Sequence, residues 1–80
     1  MNEEQTKQLM NHYNITVKPL TTKEELFMLE AIRIGKQINM PDAMLSEYIN
    51  ESLHGLSDDE LAFNDELEQD MLAWKANSDA

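Results

Sequence analysis

Carboxylates crowd the C-terminal part of this chain. The stretch SDDELAFNDELEQDMLAW, from Ser57 to Trp74, holds seven Asp and Glu residues and no Lys or Arg. Carboxylates can bind cations, move protons or pair with positive charge on another molecule. The stretch lacks the central glycine of an EF-hand loop, and a carboxylate acid–base pair needs burial to separate its two pKa values. Pairing with a basic partner is therefore the chemistry that these residues favour.

The charge is unevenly distributed along the 80 residues. In residues 1–40 five carboxylates balance five cations, whereas residues 41–80 hold eleven carboxylates and one Lys, which accounts for the whole net charge of −10. A negative field of this kind repels nucleic acid and anionic membranes and attracts basic protein surfaces. We therefore expect a basic protein partner, with no direct binding to nucleic acid or membrane.

Other catalytic or ligand-binding chemistry finds little support. The chain has no Cys, so thiolate metal sites and disulfides are excluded. His12 and His54 each lie beside apolar positions, where a histidine is usually structural. Neither Ser46 nor Ser57 lies in the Gly-x-Ser-x-Gly pattern of a nucleophile elbow. We expect no enzymatic activity, no cofactor and no metal site.

Helices must position the acidic residues. Capping and breaking residues set the boundaries: Thr22 with Glu25, Pro41, Gly55, and Ser57 with Glu60. They predict one all-α domain over residues 1–80, a small bundle of three to four helices with a short extended segment near residues 14–20. The expected elements are an N-terminal helix at 1–13, main helices at 22–38, 41–54 and 58–75, and a frayed tail at 76–80.

Apolar stripes at helical spacing predict the core. The second helix carries Phe27, Ala31, Ile34 and Ile38, and Gly35 beside them is expected to permit close contact with another helix. The third helix is amphipathic as well, with its stripe at Leu45, Tyr48, Ile49, Ser52, Leu53 and Leu56.

The last helix, 58–75, is predicted to have a core face and an exposed acidic face. Phe63, Leu67, Met71 and Trp74 share one narrow arc, so Trp74 is expected to be largely buried. The predicted partner-binding residues lie elsewhere on the helix. They are four carboxylates beyond the first turn, two leucines that frame them, and two first-turn acids that the helix dipole also favours: Asp65, Glu66, Glu68, Asp70, Leu61, Leu72, Asp58 and Asp59.

These features predict a non-enzymatic inhibitor that occupies a basic, nucleic-acid-binding surface of its partner. Glu66 and Asp70 are about 6 Å apart along a helix axis, comparable to two nucleotide steps along one strand. In size and charge the chain resembles the small acidic inhibitors of phages and mobile elements, some of which mimic nucleic acid and antagonise host defence. The first residues, MNEEQTKQ, show no secretory leader, so a cytoplasmic location is expected.

Two alternatives belong to other functional classes. ITVKPL followed by helices resembles the ribbon-helix-helix regulators, in which Thr16 and Lys18 would read DNA and the acidic C-terminal segment would bind a toxin. Pro19 interrupts that strand pattern. A structural adaptor or chaperone that uses the Leu61 and Leu72 stripe is the other alternative, and the sequence leaves a homodimer open.

Overall fold

A computed structural model describes residues 3–17 and 19–78 of the chain. It contains four α-helices and one short 3₁₀ turn, and the described residues contain no β-strand. The predicted all-α bundle is confirmed. The elements are α1 (Glu3–His12), α2 (Thr22–Gln37), α3 (Asp42–Gly55), the 3₁₀ turn (Asp58–Glu60) and α4 (Asn64–Ser78).

Helix α2 begins at Thr22, as predicted, but its N-cap lies one residue earlier than the sequence indicated. Thr21 is the N-cap, its hydroxyl accepts the Glu24 N–H at 3.1 Å, and the Glu24 carboxylate accepts the Thr21 N–H at 2.8 Å. The predicted pairing of Thr22 with Glu25 is therefore wrong, although the same type of capping box is present. Thr21, rather than Thr22, is the N-cap because it has the extended backbone that an N-cap needs, whereas Thr22 is already helical.

The α2–α3 contact depends on Gly35. A Cβ at this position would lie 2.9 Å from both methyl carbons of the buried Leu45, so only glycine lets that side chain approach the α2 backbone this closely. This confirms the expected close contact. Helix α3 begins after Pro41, which is the N-cap rather than the first helical residue, and it ends at Gly55.

Helices α2, α3 and α4 pack against one another in all three pairs and enclose a single core. Helix α1 and the segment after it contribute Met10, Tyr13 and Ile15 to that core. The largest side chains that are almost completely buried come from the other three helices: Tyr48, Phe27, Met28, Ile34, Leu45, Ile49, Leu67 and Met71.

Polar bonds hold the segment after α1 against α3. The Asn50 side chain donates to the Asn14 carbonyl at 2.9 Å and accepts the Thr16 N–H at 3.0 Å. The Thr16 hydroxyl also lies 2.6 Å from His54 Nε2. Residues 14–17 are non-helical, as predicted, but they form no strand; Lys18, the other predicted reader of DNA, lies outside the described residues.

The acidic stretch does not form one continuous helix, so the predicted helix at 58–75 is wrong. The capping box of Ser57 and Glu60 exists, but it opens only the 3₁₀ turn, and residues 61–63 are non-helical. Asn64 then adopts a positive φ of 58°, which asparagine tolerates better than most residues. Its N–H donates to Glu30 Oε1 on α2, a bond that ties the start of α4 to its neighbour.

The C-terminal end also differs from the prediction. Helix α4 continues to Ser78, so residues 76–78 are helical rather than frayed, and residues 79–80 lie outside the described part. Trp74 is partly buried and packs against the core, and its ring meets Tyr48 edge to face at 5.2 Å. Within the described residues no helix is both long enough and apolar enough to cross a membrane.

Candidate functional site

The predicted carboxylates divide between two sides of α4. At about 100° per residue, Glu66 and Asp70 fall on the side that faces α3, where they line a groove. Glu68 lies about 160° from Glu66 on the opposite flank. Asp65 and Leu72 project outward, and both are exposed. The structure therefore does not bring the predicted partner-binding residues together as one surface.

Leu61 is not available as a surface anchor. It precedes α4, retains only 7% of its exposure and belongs to the core. The predicted stripe of Leu61 and Leu72 around Asp65 and Glu68 is therefore wrong, because its first member does not share the helix of the others. Leu72 is 39% exposed and remains on the surface.

Asp65 and Glu66 have a structural role that the sequence analysis did not assign to them. Because α4 begins at Asn64, these two carboxylates lie in its first turn, where the helix dipole stabilises negative charge. The prediction that they lie beyond the first turn is wrong for this reason. Among the four predicted carboxylates, Glu68 and Asp70 follow the first turn.

Asp70 is coupled to the fold through Tyr48. The buried Tyr48 hydroxyl donates to Asp70 Oδ2 at 2.6 Å. Burial raises the pKa of Tyr48, and the hydrogen bond and negative charge of Asp70 raise it further. Asp70 therefore orders a core residue as well as presenting charge.

The carboxylates of the 3₁₀ turn are only partly neutralised. Glu60 accepts the Ser57 N–H at 2.8 Å, and this backbone hydrogen bond lowers the pKa of the Glu60 carboxyl. Asp59 lies 3.5 Å from Lys23 Nζ in an exposed ion pair, and Asp58 is half-buried. Among the seven carboxylates from Asp58 to Asp70, Asp59 alone has a described cationic partner within 4.0 Å.

A groove of about 430 Å³ runs between α3 and α4. Its base includes the nearly inaccessible Phe27 and Tyr48, whose stacked rings have centroids 6.2 Å apart. The small side chains of Ala62 and Ala73 also line it, together with Leu56, which is 40% exposed. We call this feature the α3–α4 groove.

Three carboxylates edge the α3–α4 groove: Glu60 from the 3₁₀ turn, and Glu66 and Asp70 from α4. No Lys, Arg or His is among the described residues that line it. Glu66 and Asp70 were predicted from the sequence, whereas the position of Glu60 at the groove and the buried aromatic residues beneath it were not. The alternation of apolar and acidic residues along the chain does not indicate the groove, because four separate elements assemble it: α2, α3, the 3₁₀ turn and α4.

A second hollow, of about 640 Å³, lies between α1 and the start of α2. Its lining mixes Lys7 with Glu3 and Glu25, and the Thr6 hydroxyl donates across it to Glu25 at 2.9 Å. Elsewhere, His12 Nε2 lies 3.1 Å from Asp42, and both side chains are exposed. Among the described residues no three His, Asp or Glu side chains converge as a metal site would require.

The ribbon-helix-helix alternative requires Thr16 to face DNA. Its hydroxyl and its N–H are instead engaged with His54 and Asn50 on α3. The adaptor alternative requires Leu61 on the surface, but Leu61 is buried in the core.

Comparison of the chain with protein-family models, with curated proteins and with solved structures gives no match.

Proposed function

We propose that this protein is a non-enzymatic inhibitor that binds the basic, nucleic-acid-binding surface of a partner protein. Its acidic half, residues 41–80, would meet the positive surface that otherwise holds phosphates. Such a protein needs no active site of its own, because it acts by occupying the surface that the nucleic acid needs. In this mode of action the protein would resemble the small acidic inhibitors of phages and mobile elements.

The observation that carries the proposal is the unneutralised charge around the α3–α4 groove. Glu60, Glu66 and Asp70 edge an apolar depression that no described cation lines. Asp65 and Glu68 add charge on the other sides of α4 without an ion pair within the described residues. Local structure accounts for several of these acids individually, through the dipole and the Tyr48 bond, but it does not account for the lack of interleaved Lys.

Association of this kind would be driven first by long-range attraction. Complementary potentials raise the rate of encounter, and salt screens that attraction over about 10 Å at 0.1 M. The partner would then be released by high salt. Nucleic acid would compete with the protein, since both would need the same cations on the partner.

The test is capture of partners from a native lysate on the immobilised protein, with elution by salt. We expect the eluted proteins to be enriched in those that bind nucleic acid. A purified captured protein should lose its bound DNA or RNA in a gel-shift assay as this protein is added. Immobilised protein with Asp65→Asn, Glu66→Gln and Glu68→Gln serves as the matched control and should capture less.

The proposal fails if the captured partner keeps its nucleic acid at saturating inhibitor. It also fails if capture by the parent and by the amide control is equal at low salt. A gel shift of free DNA by the protein itself would instead support the ribbon-helix-helix alternative.

A further inference from the structure

We infer that the α3–α4 groove binds an arginine side chain presented by the partner protein. The inference rests on the proposed function, because it names the group that the acidic surface would recognise. It also adds a location, since general attraction between charged surfaces would not select this groove over the outer side of α4.

The composition of the groove suits a cation on a long apolar stem. The accessible apolar surface comes from Leu56, Ala62 and Ala73, because Phe27 and Tyr48, which also line the groove, are almost fully buried. Arginine buries its methylene stem against such surface and keeps its charged head at the edge. A purely apolar side chain would fill the base but would leave three carboxylates unpaired nearby.

Internal hydrogen bonds fix two of the three carboxylates. Asp70 is held through Oδ2 by Tyr48, and Glu60 is held through Oε1 by the Ser57 N–H. An ionised carboxylate offers about four acceptor positions, so each can still accept a donor from a partner. Because these groups are already oriented, binding would cost less side-chain entropy than it would with unrestrained acids.

The same features favour arginine over lysine. The guanidinium group is planar and presents several donors in a fixed fork that matches the geometry of carboxylates. Glu66 and Asp70 are one helical turn apart, about 6 Å along the axis, so they can engage donors on two sides of one planar group. The lysine ammonium is more strongly hydrated and offers a single point charge.

The experiment uses the full-length protein and two synthetic peptides. One peptide alternates arginines with leucines, and the other has lysine at every arginine position. Each is titrated into isotope-labelled protein, and backbone amide shifts and Kd are measured by NMR. We expect tighter binding of the arginine peptide, with the largest shifts at Leu56, Ala62 and Ala73.

Glu66→Gln and Glu68→Gln form the matched pair of variants. Both make the same chemical change on the same helix and alter the net charge equally, but only Glu66 lines the groove. Glu66→Gln should weaken binding of the arginine peptide about tenfold, as loss of a charged hydrogen bond would. Glu68→Gln should weaken it by about twofold or less.

Equal weakening by the two variants, or equal affinity for the two peptides, would overturn the groove inference. The proposed function would survive that result if binding remained salt-dependent. Shifts centred on Asp65 and Leu72 would also overturn the inference and move the contact to the outer side of α4. If neither peptide binds at low salt, both the inference and the charge-driven mechanism fail.

Discussion

The two sides of α3 differ in how closely they meet their neighbours. Toward α2, Leu45 packs onto the bare backbone at Gly35, and the contact is closed. Toward α4, the rings of Tyr48 and Trp74 meet at 5.2 Å, and the acid-edged groove remains beside them. At the first contact Leu45 is fully buried, whereas the second leaves an accessible surface beside the packed rings.

This difference indicates where the surface can be altered without loss of folding. A close-packed contact transmits every change of volume to the core, while an open groove has space for a ligand. Tyr48 lies at the boundary between the two, because its ring is buried and its hydroxyl reaches Asp70. Substitutions on the two sides of α3 should therefore separate stability from binding.

The largest expected effect is at Leu45. Leu45→Ala should lower the free energy of unfolding by about 3 kcal/mol, because it leaves a cavity in the closed contact. Leu56→Ala removes the same atoms from a position that is 40% exposed and should cost less than about 1 kcal/mol. Chemical denaturation of both variants measures the comparison. Similar costs would show that the groove side is as closely packed as the other.

Tyr48→Phe should have the next largest effect. It removes the hydroxyl bonded to Asp70 and should lower the free energy of unfolding by about 1.5 kcal/mol at neutral pH. The folded state raises the pKa of Tyr48 above its ordinary value of 10.0, so this tyrosine stabilises the fold below pH 10 and loses that contribution as pH rises further.

The alkaline pH dependence of unfolding gives the sharper measurement for Tyr48. The parent should lose more stability than Tyr48→Phe above pH 10, because phenylalanine cannot ionise. Burial also raises the pKa of Tyr13, but that residue is common to both proteins and cancels in the difference. Parallel alkaline curves would contradict the role assigned to Tyr48.

Gly35→Ala should lower the free energy of unfolding by about 1 kcal/mol. The added methyl gains helix propensity, but crowding against the buried Leu45 outweighs that gain. In a Leu45→Ala background the same change should become stabilising, since the space is then open. Thermal melts of the four proteins in this cycle provide the measurement, and an unchanged sign in the second background would contradict the close contact.

The smallest expected effect concerns Glu60. The Ser57 backbone bond lowers the pKa of this carboxyl, so its charge stabilises the fold above the ordinary carboxyl pKa of 4.5, and the contribution is lost as pH falls through the lowered value. Glu60→Gln should have a slightly lower melting temperature than the parent at pH 7. The difference between the two melting temperatures should disappear at strongly acidic pH. A difference in melting temperature that persists in acid would show that Glu60 stabilises the fold independently of its charge.

Local patterns were sufficient to predict most of the fold. Capping residues and apolar periodicity lie within one helix, so α1, α2 and α3 were located within one or two residues. The break at residues 61–63 was not predicted, because it depends on contacts between elements: Leu61 enters the core, and Glu30 on α2 holds the start of α4. Asn64 was the available local signal, since asparagine favours the left-handed region.

The candidate site was less predictable than the helices. The sequence identified the acidic stretch, but periodicity over an unbroken helix placed its residues on the wrong faces. The Tyr48–Asp70 bond joins residues 22 positions apart on different helices, and no local pattern indicates it. The α3–α4 groove depends on that packing and therefore emerged only from the structure.

The central claim is that the exposed charge of α4 serves a partner rather than the fold. The most direct test is the association rate of a captured nucleic-acid-binding partner with the parent and with the Asp65→Asn, Glu66→Gln, Glu68→Gln variant at low and high salt. Asp70 is left intact because Tyr48 needs it. The variant should melt close to the parent, because lost dipole stabilisation and relieved like-charge repulsion oppose each other. Its association should be about tenfold slower at low salt, with little difference at high salt. Association as fast as that of the parent at low salt would contradict the account.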